Sequence, residues 1–220
     1  MSSVMDRPVT AEAPTASVAP VVAVKRRTID KVLIGVGVVA TAAFAVAGGL
    51  LLWGHNFSSD YVGKELASQN ISFPNAQALT DGGRTDLVKW ADHKVDTGLE
   101  AQAYASFING HLQGIADGAT YADLGAPESA AKADVKAAVD AGKPQATIAE
   151  LQAKADGITN QRNTLFKGET LRGLLLSAYA WSTVGMIAGI AAIGAFLAAA
   201  VMAVLSVLGI IHYRKTPKTA

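Results

Sequence analysis

The chain has no cysteine among its 220 residues, which excludes disulfides, thiolate metal sites and cysteine nucleophiles. A domain exported from the cytoplasm would then be held by packing alone. Histidine is scarce at four residues, and no two stand at i, i+4 spacing, so a helical H-E-x-x-H metal pair is excluded. No Lys/Arg cluster interleaved with aromatics occurs in the hydrophilic region, which removes a nucleic-acid face. Phosphate loops, dinucleotide fingerprints and the G-x-S-x-G elbow are absent too. Ser129-Ala130-Ala131-Lys132 matches S-x-x-K, but the companion S-D-N and K-T-G motifs are missing. No catalytic, cofactor-binding or metal residue is assigned, and the chain is expected not to be an enzyme.

What the sequence has in excess is apolar length. Half of the residues are apolar, and residues 174–211 form 38 consecutive positions without a charge. As helix that is roughly 57 Å against a hydrocarbon core of about 30 Å, so one span fits and two with a turn do not. The surplus is expected to stand outside the bilayer as a stalk. Residues 32–53 form a second uncharged run of 22, ending at Trp53 where an interfacial aromatic belt is expected. Ala45-Val46-Ala47 before Gly48 has the small-x-small form of a signal-peptide cleavage site, a competing reading for this run. The apolar residues continue through Leu50, Leu51 and Leu52, as a retained anchor does. Arg26-Arg27 resembles a twin-arginine signal, although Asp30 stands where that motif takes an apolar residue.

The expected organisation follows. Residues 1–24, with three prolines and no apolar period, are a disordered cytoplasmic tail. Residues 32–53 are the first transmembrane helix, 54–173 an extracytoplasmic helical domain, 174–211 the stalk and second transmembrane helix, and 212–220 a cytoplasmic tail. The fold class is therefore all-α, two transmembrane helices with an outer helical bundle, the second span continuous with a long stalk helix. Lys25, Arg26, Arg27 and Lys31 precede the first span and Arg214, Lys215 and Lys218 follow the second, which places both termini in the cytoplasm. The region between carries 11 basic against 15 acidic residues.

Within that region the pattern is helical throughout. A short helix is expected over residues 60–70, interrupted at Pro74 because the residue before proline leaves the helical region. Leu87, Ala91 and Val95 share one helix face. Leu99, Ala103, Phe107 and Ile115, with Tyr104 alongside, mark a second helix, and Pro127 opens a third. From residue 145, Ile148, Leu151, Ala155, Ile158, Arg162 and Leu165 recur by threes and fours, a heptad seam with one polar member. Arg162 is expected to pair with an acidic residue or face a gap, so that Arg162→Leu is tolerated or stabilising. An Asp at Ile158 or Leu165 should unfold the domain. Gly185, Gly189 and Ala192 on the second span, with Ala43 and Ala47 on the first, are the candidate helix-packing residues. Leu174, Leu175 and Leu176, with Tyr179 and Trp181, need a cover, expected from Phe57, Tyr61 and Leu66. A tilt that dips them into lipid is the alternative.

The passages at residues 69–74 (Gln-Asn-Ile-Ser-Phe-Pro) and 160–175 (Asn-Gln-Arg-Asn-Thr-Leu-Phe-Lys-Gly-Glu-Thr-Leu-Arg-Gly-Leu-Leu), with Tyr104-Ala105, His111-Leu112 and Thr120-Tyr121-Ala122 between them, resemble a family of actinobacterial two-span membrane proteins. Some members carry the label of an aromatic ring-opening dioxygenase subunit. That label implies non-haem iron held by two histidines and a carboxylate, a constellation this sequence does not display. The resemblance implies a membrane protein of the cell envelope and brings no site residues with it. Neither span holds an ionisable side chain in its interior, so a stand-alone pump or channel is not expected. The expected role is a non-catalytic structural or accessory subunit of a membrane assembly, in contact with lipid and with a protein partner. Accessory subunits of respiratory supercomplexes share this build, as an analogy of architecture. The second reading is an outer module that binds an envelope lipid or a peptide. Phe73, Tyr104, Phe107 and Ile115 lining an open groove would favour that module; closed into a core they would favour the scaffold.

Overall fold

The computed structural model describes residues 26–215. The expectations for residues 1–24 and for the end of the chain past Lys215 fall outside the described residues. Among these the protein is all-helical, with five α-helices and two short 3₁₀ helices: α1 (Arg26–Ser68), α2 (Ala76–Asp81), a 3₁₀ helix at Thr85–Trp90, α3 (Gly98–Gln113), a second at Ala116–Gly118, α4 (Gly125–Asp140) and α5 (Gln145–Lys215). The nearest thing to a strand is an isolated antiparallel bridge, Ser72 to Lys94. α1 and α5 are both long and apolar enough to cross a membrane. The described residues form two compact units, residues 43–198 and residues 26–42 with 199–215.

In the larger unit the chain leaves α1 through Gln69 and Asn70, whose φ of 50° breaks the helix. Pro74 keeps Phe73 extended. Phe73 N–H then donates to His93 O and Val95 N–H to Ile71 O, both at 2.9 Å, tying this link to residues 93–95. Asn75 caps α2 by accepting from the Ala78 N–H at 2.8 Å. Thr97 and Glu100 form a reciprocal capping box at the start of α3. Gly142, at φ 62°, closes α4, and Pro144 leads into α5.

These segments bury a core of Val62, Leu66, Phe73, Leu79, Leu87, Val95, Ala101, Ala105 and Leu175, against which Trp90, Tyr104, Phe107 and Ile108 pack. A second cluster joins Leu112, Leu124 and Leu165, with Ile115 and Ile158 against it. Three expected elements differ. Residues 60–68 are no separate helix but the end of α1, because nothing between Trp53 and Ser68 breaks the helix. Leu87 and Val95 are buried without sharing a helix face: the 3₁₀ helix ends at Trp90 and Asp92, at φ 61°, turns the chain. On α3 the buried face is Ala101, Ala105 and Leu112, and Leu99 is 60% exposed.

α5 is a single helix of 71 residues, and Gly157 and Gly168 do not interrupt it. Its shielded positions in the larger unit continue the seam by threes and fours, through Leu165, Leu175, Gly185 and Ala192. In the smaller unit the start of α1 packs on the end of α5: Ser206 is buried, a Cβ on Gly37 would run into its side chain, and Ile34 stands over Gly209. The Ser206 hydroxyl is tied to its own helix, donating to Met202 O at 2.7 Å, as hydroxyls in apolar helices do.

Candidate functional site

The part of the larger unit that carries most specific geometry is a joint between α1 and α5. On α1, Gly48, Leu51, His55, Ser58, Val62 and Leu66 recur by threes and fours, and each is buried or half-buried. Opposite them on α5 the small residues Gly185, Gly189 and Ala192 make room. A Cβ on Gly185 would stand 2.8 Å from Ser58 Cβ, and one on Gly189 would stand 2.9 Å from His55 Nδ1. Gly48 does the same from the other side, where a Cβ would come within 2.9 Å of the Phe196 ring. Two hydrogen bonds cross this close approach. Ser58 Oγ donates to Trp181 O at 2.7 Å, and the His55 ring nitrogen Nδ1 stands 2.8 Å from Gly185 O, which can only accept. His55 is therefore held as the Nδ1–H tautomer.

Gly185, Gly189 and Ala192 thus lie in the packed face. Ala43 and Ala47 are exposed on α1, and Gly48 occupies the packing position instead. The reason is register: the seam that passes through His55 and Ser58 reaches residue 48, not 47. Above the joint, Leu175 is 3% exposed within the same core cluster as Val62 and Leu66. Phe57 and Tyr61, expected to cover the stalk leucines, instead face outward with Trp53 in a stacked row. Their ring centroids are 5.7 and 6.0 Å apart, and each ring is more than half exposed. Phe57 and Tyr61 also flank a shallow recess with Ser58, Val62 and Trp181.

The seam residues of α5 divide into two groups. Ile158 and Leu165 pack in the second cluster, whereas Ile148 and Leu151 are half-buried outside both clusters. Arg162 makes a polar clamp: its Nη1 donates to Glu128 Oε2 at 2.6 Å, its Nε to Tyr121 O at 3.2 Å, and its guanidinium lies 4.1 Å over the Tyr121 ring. Lys132 Nζ and Thr159 Oγ1 both donate to Glu128 Oε1, at 2.7 and 2.8 Å. The Lys132 bond, with those from Thr159 and Arg162, lowers the Glu128 pKa from the usual 4.5 to about 2. The S-x-x-K serine is spent elsewhere, its Oγ donating to Gly125 O at 3.0 Å while Lys132 faces Glu128.

Comparison of the chain with family models, curated proteins and solved structures returns no match.

A second buried carboxylate, Glu100, is opposed by burial, which raises its pKa. Donors from the Thr97 hydroxyl and the Asp96 and Thr97 N–H groups outweigh that and hold it below its usual range. His93 Nδ1 stands 3.4 Å from Glu100 Oε1 at the protein surface. His111 is exposed, its Nδ1 3.1 Å from Phe107 O within its own helix. Among the described residues no three His, Asp or Glu side chains stand together as a metal-holding group.

Sequence reasoning passed over Ser58, Glu128 and Tyr121. Ser58 could have been found, since it lies midway between His55 and Val62 at seam spacing. Glu128 and Tyr121 gave no signal, because their partner Arg162 is 34 and 41 positions away.

Proposed function

We propose that this chain is a non-catalytic integral membrane protein that braces a membrane assembly, its two long helices crossing the bilayer and its helical domain held rigidly outside. The observation that carries this is the contrast between the apolar windows and the domain. The most apolar window of α1 is 11% buried and that of α5 17%, the reverse of a soluble core helix. The domain, by contrast, closes over its own aromatics. Phe73 is 3% exposed, stacked on Trp90 and edge-on to Tyr104, and Phe107 packs on the same core. Phe107 also edges a recess with Pro74, Arg84 and His111, but Phe73 and Tyr104 are taken up in ring contacts within the core, which favours the scaffold over a module that binds an envelope lipid or peptide.

α1 supports the reading mechanically. One uninterrupted helix runs from its apolar stretch into the domain core, so a load on one is passed to the other without a flexible linker. The basic residues at 26, 27, 31, 214 and 215 support an arrangement with both helix ends at the cytoplasmic face and the acidic domain outside. The family resemblance, an actinobacterial envelope and a large partner such as a respiratory supercomplex belong to this same proposal. Because the chain has no native cysteine, topology is directly testable with an impermeant thiol reagent. Ser129→Cys should label in intact cells and Ser3→Cys only after lysis; the opposite pattern would sink the arrangement. The bracing role predicts a stable complex of fixed stoichiometry in mild-detergent purification with mass spectrometry. A chain that migrates alone, with no partner above background, overturns it.

A further inference from the structure

The joint between α1 and α5 uses only one nitrogen of His55. Nδ1 is bound to Gly185 O, which fixes the ring and leaves Nε2 as an acceptor. No hydrogen bond from the described residues reaches Nε2, and they do not enclose it. The ring lies over Gly189, where a Cβ would stand 3.2 Å from its Cε1. There it edges a recess of about 450 Å³ walled by Leu52, Met186, Ile190, Ile193 and Phe196. All five walls are exposed, and no Lys, Arg, Asp or Glu lines the recess. From Met186 to Phe196 they descend α5 into its uncharged stretch, so the one polar side chain stands at one end of an apolar track. An acceptor left open beside hydrocarbon is costly, and an ionisable residue at membrane depth calls for a named partner.

We infer that this recess binds one uncharged lipid alcohol, whose hydroxyl donates to His55 Nε2 while its apolar body lies along Met186, Ile190 and Ile193. An ionised headgroup would meet no opposite charge here. A wholly apolar chain would fill the recess and leave Nε2 unpaired. An ester in place of the hydroxyl would bring only acceptors to an acceptor. The inference rests on the membrane-spanning reading, which sets His55, two residues past Trp53, at the level of the headgroups.

The test uses the full chain in phosphatidylcholine nanodiscs, titrated with dioleoylglycerol or with its acetate, which has the same body and no hydroxyl. Native mass spectrometry should show wild type retaining the alcohol over the acetate by about fivefold, as one hydrogen bond would give. His55→Asn places an amide N–H where Nδ1 stands and nothing where Nε2 stands, so it should keep the Gly185 bond and lose the preference. Ile190→Trp, in the recess wall, should lower retention of both molecules, and Ile187→Trp, outside the recess, should lower neither. With ¹⁵N-labelled histidine, the His55 Nε2 resonance should shift saturably with the alcohol and not with the acetate. Circular dichroism checks the fold. If His55→Asn unfolds, the same resonance is assigned by elimination, using Gln variants of His93, His111 and His212, and its shift decides. Equal retention of alcohol and acetate by wild type, or a preference that survives in folded His55→Asn, overturns the site. A resonance unmoved at saturating alcohol means that water holds Nε2, and overturns it as well. Release of the chain from membranes by alkaline carbonate defeats the membrane-spanning reading itself, whereas firm retention without an alcohol preference defeats only this site.

Discussion

Arg162 and Glu128 meet at 2.6 Å across the second core cluster, where the apolar seam of α5 has its single polar member. Glu128 is 7% exposed and accepts from three side chains at once. Its pKa falls from the usual 4.5 to about 2, so the ionised form is favoured by folding. That contribution is complete above about pH 4.5 and fades as the pH drops toward 2. The melting temperature of the helical domain should therefore fall through this window, and Glu128→Gln should flatten the slope. Identical pH profiles for the two proteins would refute the assignment.

The same geometry revises what Arg162→Leu does. A leucine fits the seam but strips a buried carboxylate of its guanidinium, and removing one member of such a pair is worse than removing both. Arg162→Leu should lower the melting temperature at pH 7, while Arg162→Leu with Glu128→Leu should recover most of the loss. A single variant as stable as wild type would show that Lys132 and Thr159 suffice.

The long-period features were the legible ones, and the reason is physical. A helix repeats its contacts every three or four residues, so the seam at Ile158 and Leu165 and the small residues at Gly185 and Gly189 were visible as spacing. The extent of α5 followed from the lack of proline over residues 145–211. Contacts without a period were not legible. The clamp on Arg162 depends on Tyr121 and Glu128, brought there by two turns, and the folding of residues 85–97 depends on hydrogen bonds to Ile71 and Phe73. On α1 the expectation fell on Ala43 and Ala47 and not on Gly48, because composition alone does not set which face turns inward.

Two glycines should respond oppositely to alanine. Gly98 opens α3 directly against α5, and a Cβ there would run into the Ser182 side chain and stand 3.4 Å from Tyr179 Cα. Gly98→Ala must push helices apart and should cost about 1–3 kcal/mol. Gly157 lies inside a helix, and a methyl added to it would meet nothing within 4 Å. Gly157→Ala should therefore stabilise by roughly 0.5–1 kcal/mol. Denaturant titration of each variant in detergent measures both.

The row of Trp53, Phe57 and Tyr61, joined on α5 by the 62% exposed Trp181, is where an interfacial belt would place the outer edge of the bilayer. Single-tryptophan proteins can locate that edge. Fluorescence of Trp53 or Trp181 should be quenched by lipids brominated near the headgroup, and that of Trp90, inside the domain, should not. Quenching of Trp90 as strong as that of Trp181 would mean that the domain itself lies in lipid.

The last test separates the stalk from a tilted span at a single pair of neighbours. Leu175 is 3% exposed in the core with Val62 and Leu66, whereas Leu174 is 65% exposed on the same turn. If this turn stands above the bilayer, Leu175→Ala removes a packed side chain and should cost about 2–5 kcal/mol. Leu174→Ala should then change stability by less than about 0.5 kcal/mol, as surface replacements do. The deciding variant is Leu174→Lys. In water a lysine replaces an exposed leucine at little cost, but within the hydrocarbon it would carry a penalty of about 2.5–3.5 kcal/mol and draw the helix outward. Membrane-inserted yield and helical-domain melting temperature equal to wild type support the stalk. A large loss of insertion for Leu174→Lys would mean that lipid reaches this turn, and that the surplus apolar length of α5 emerges at its other end.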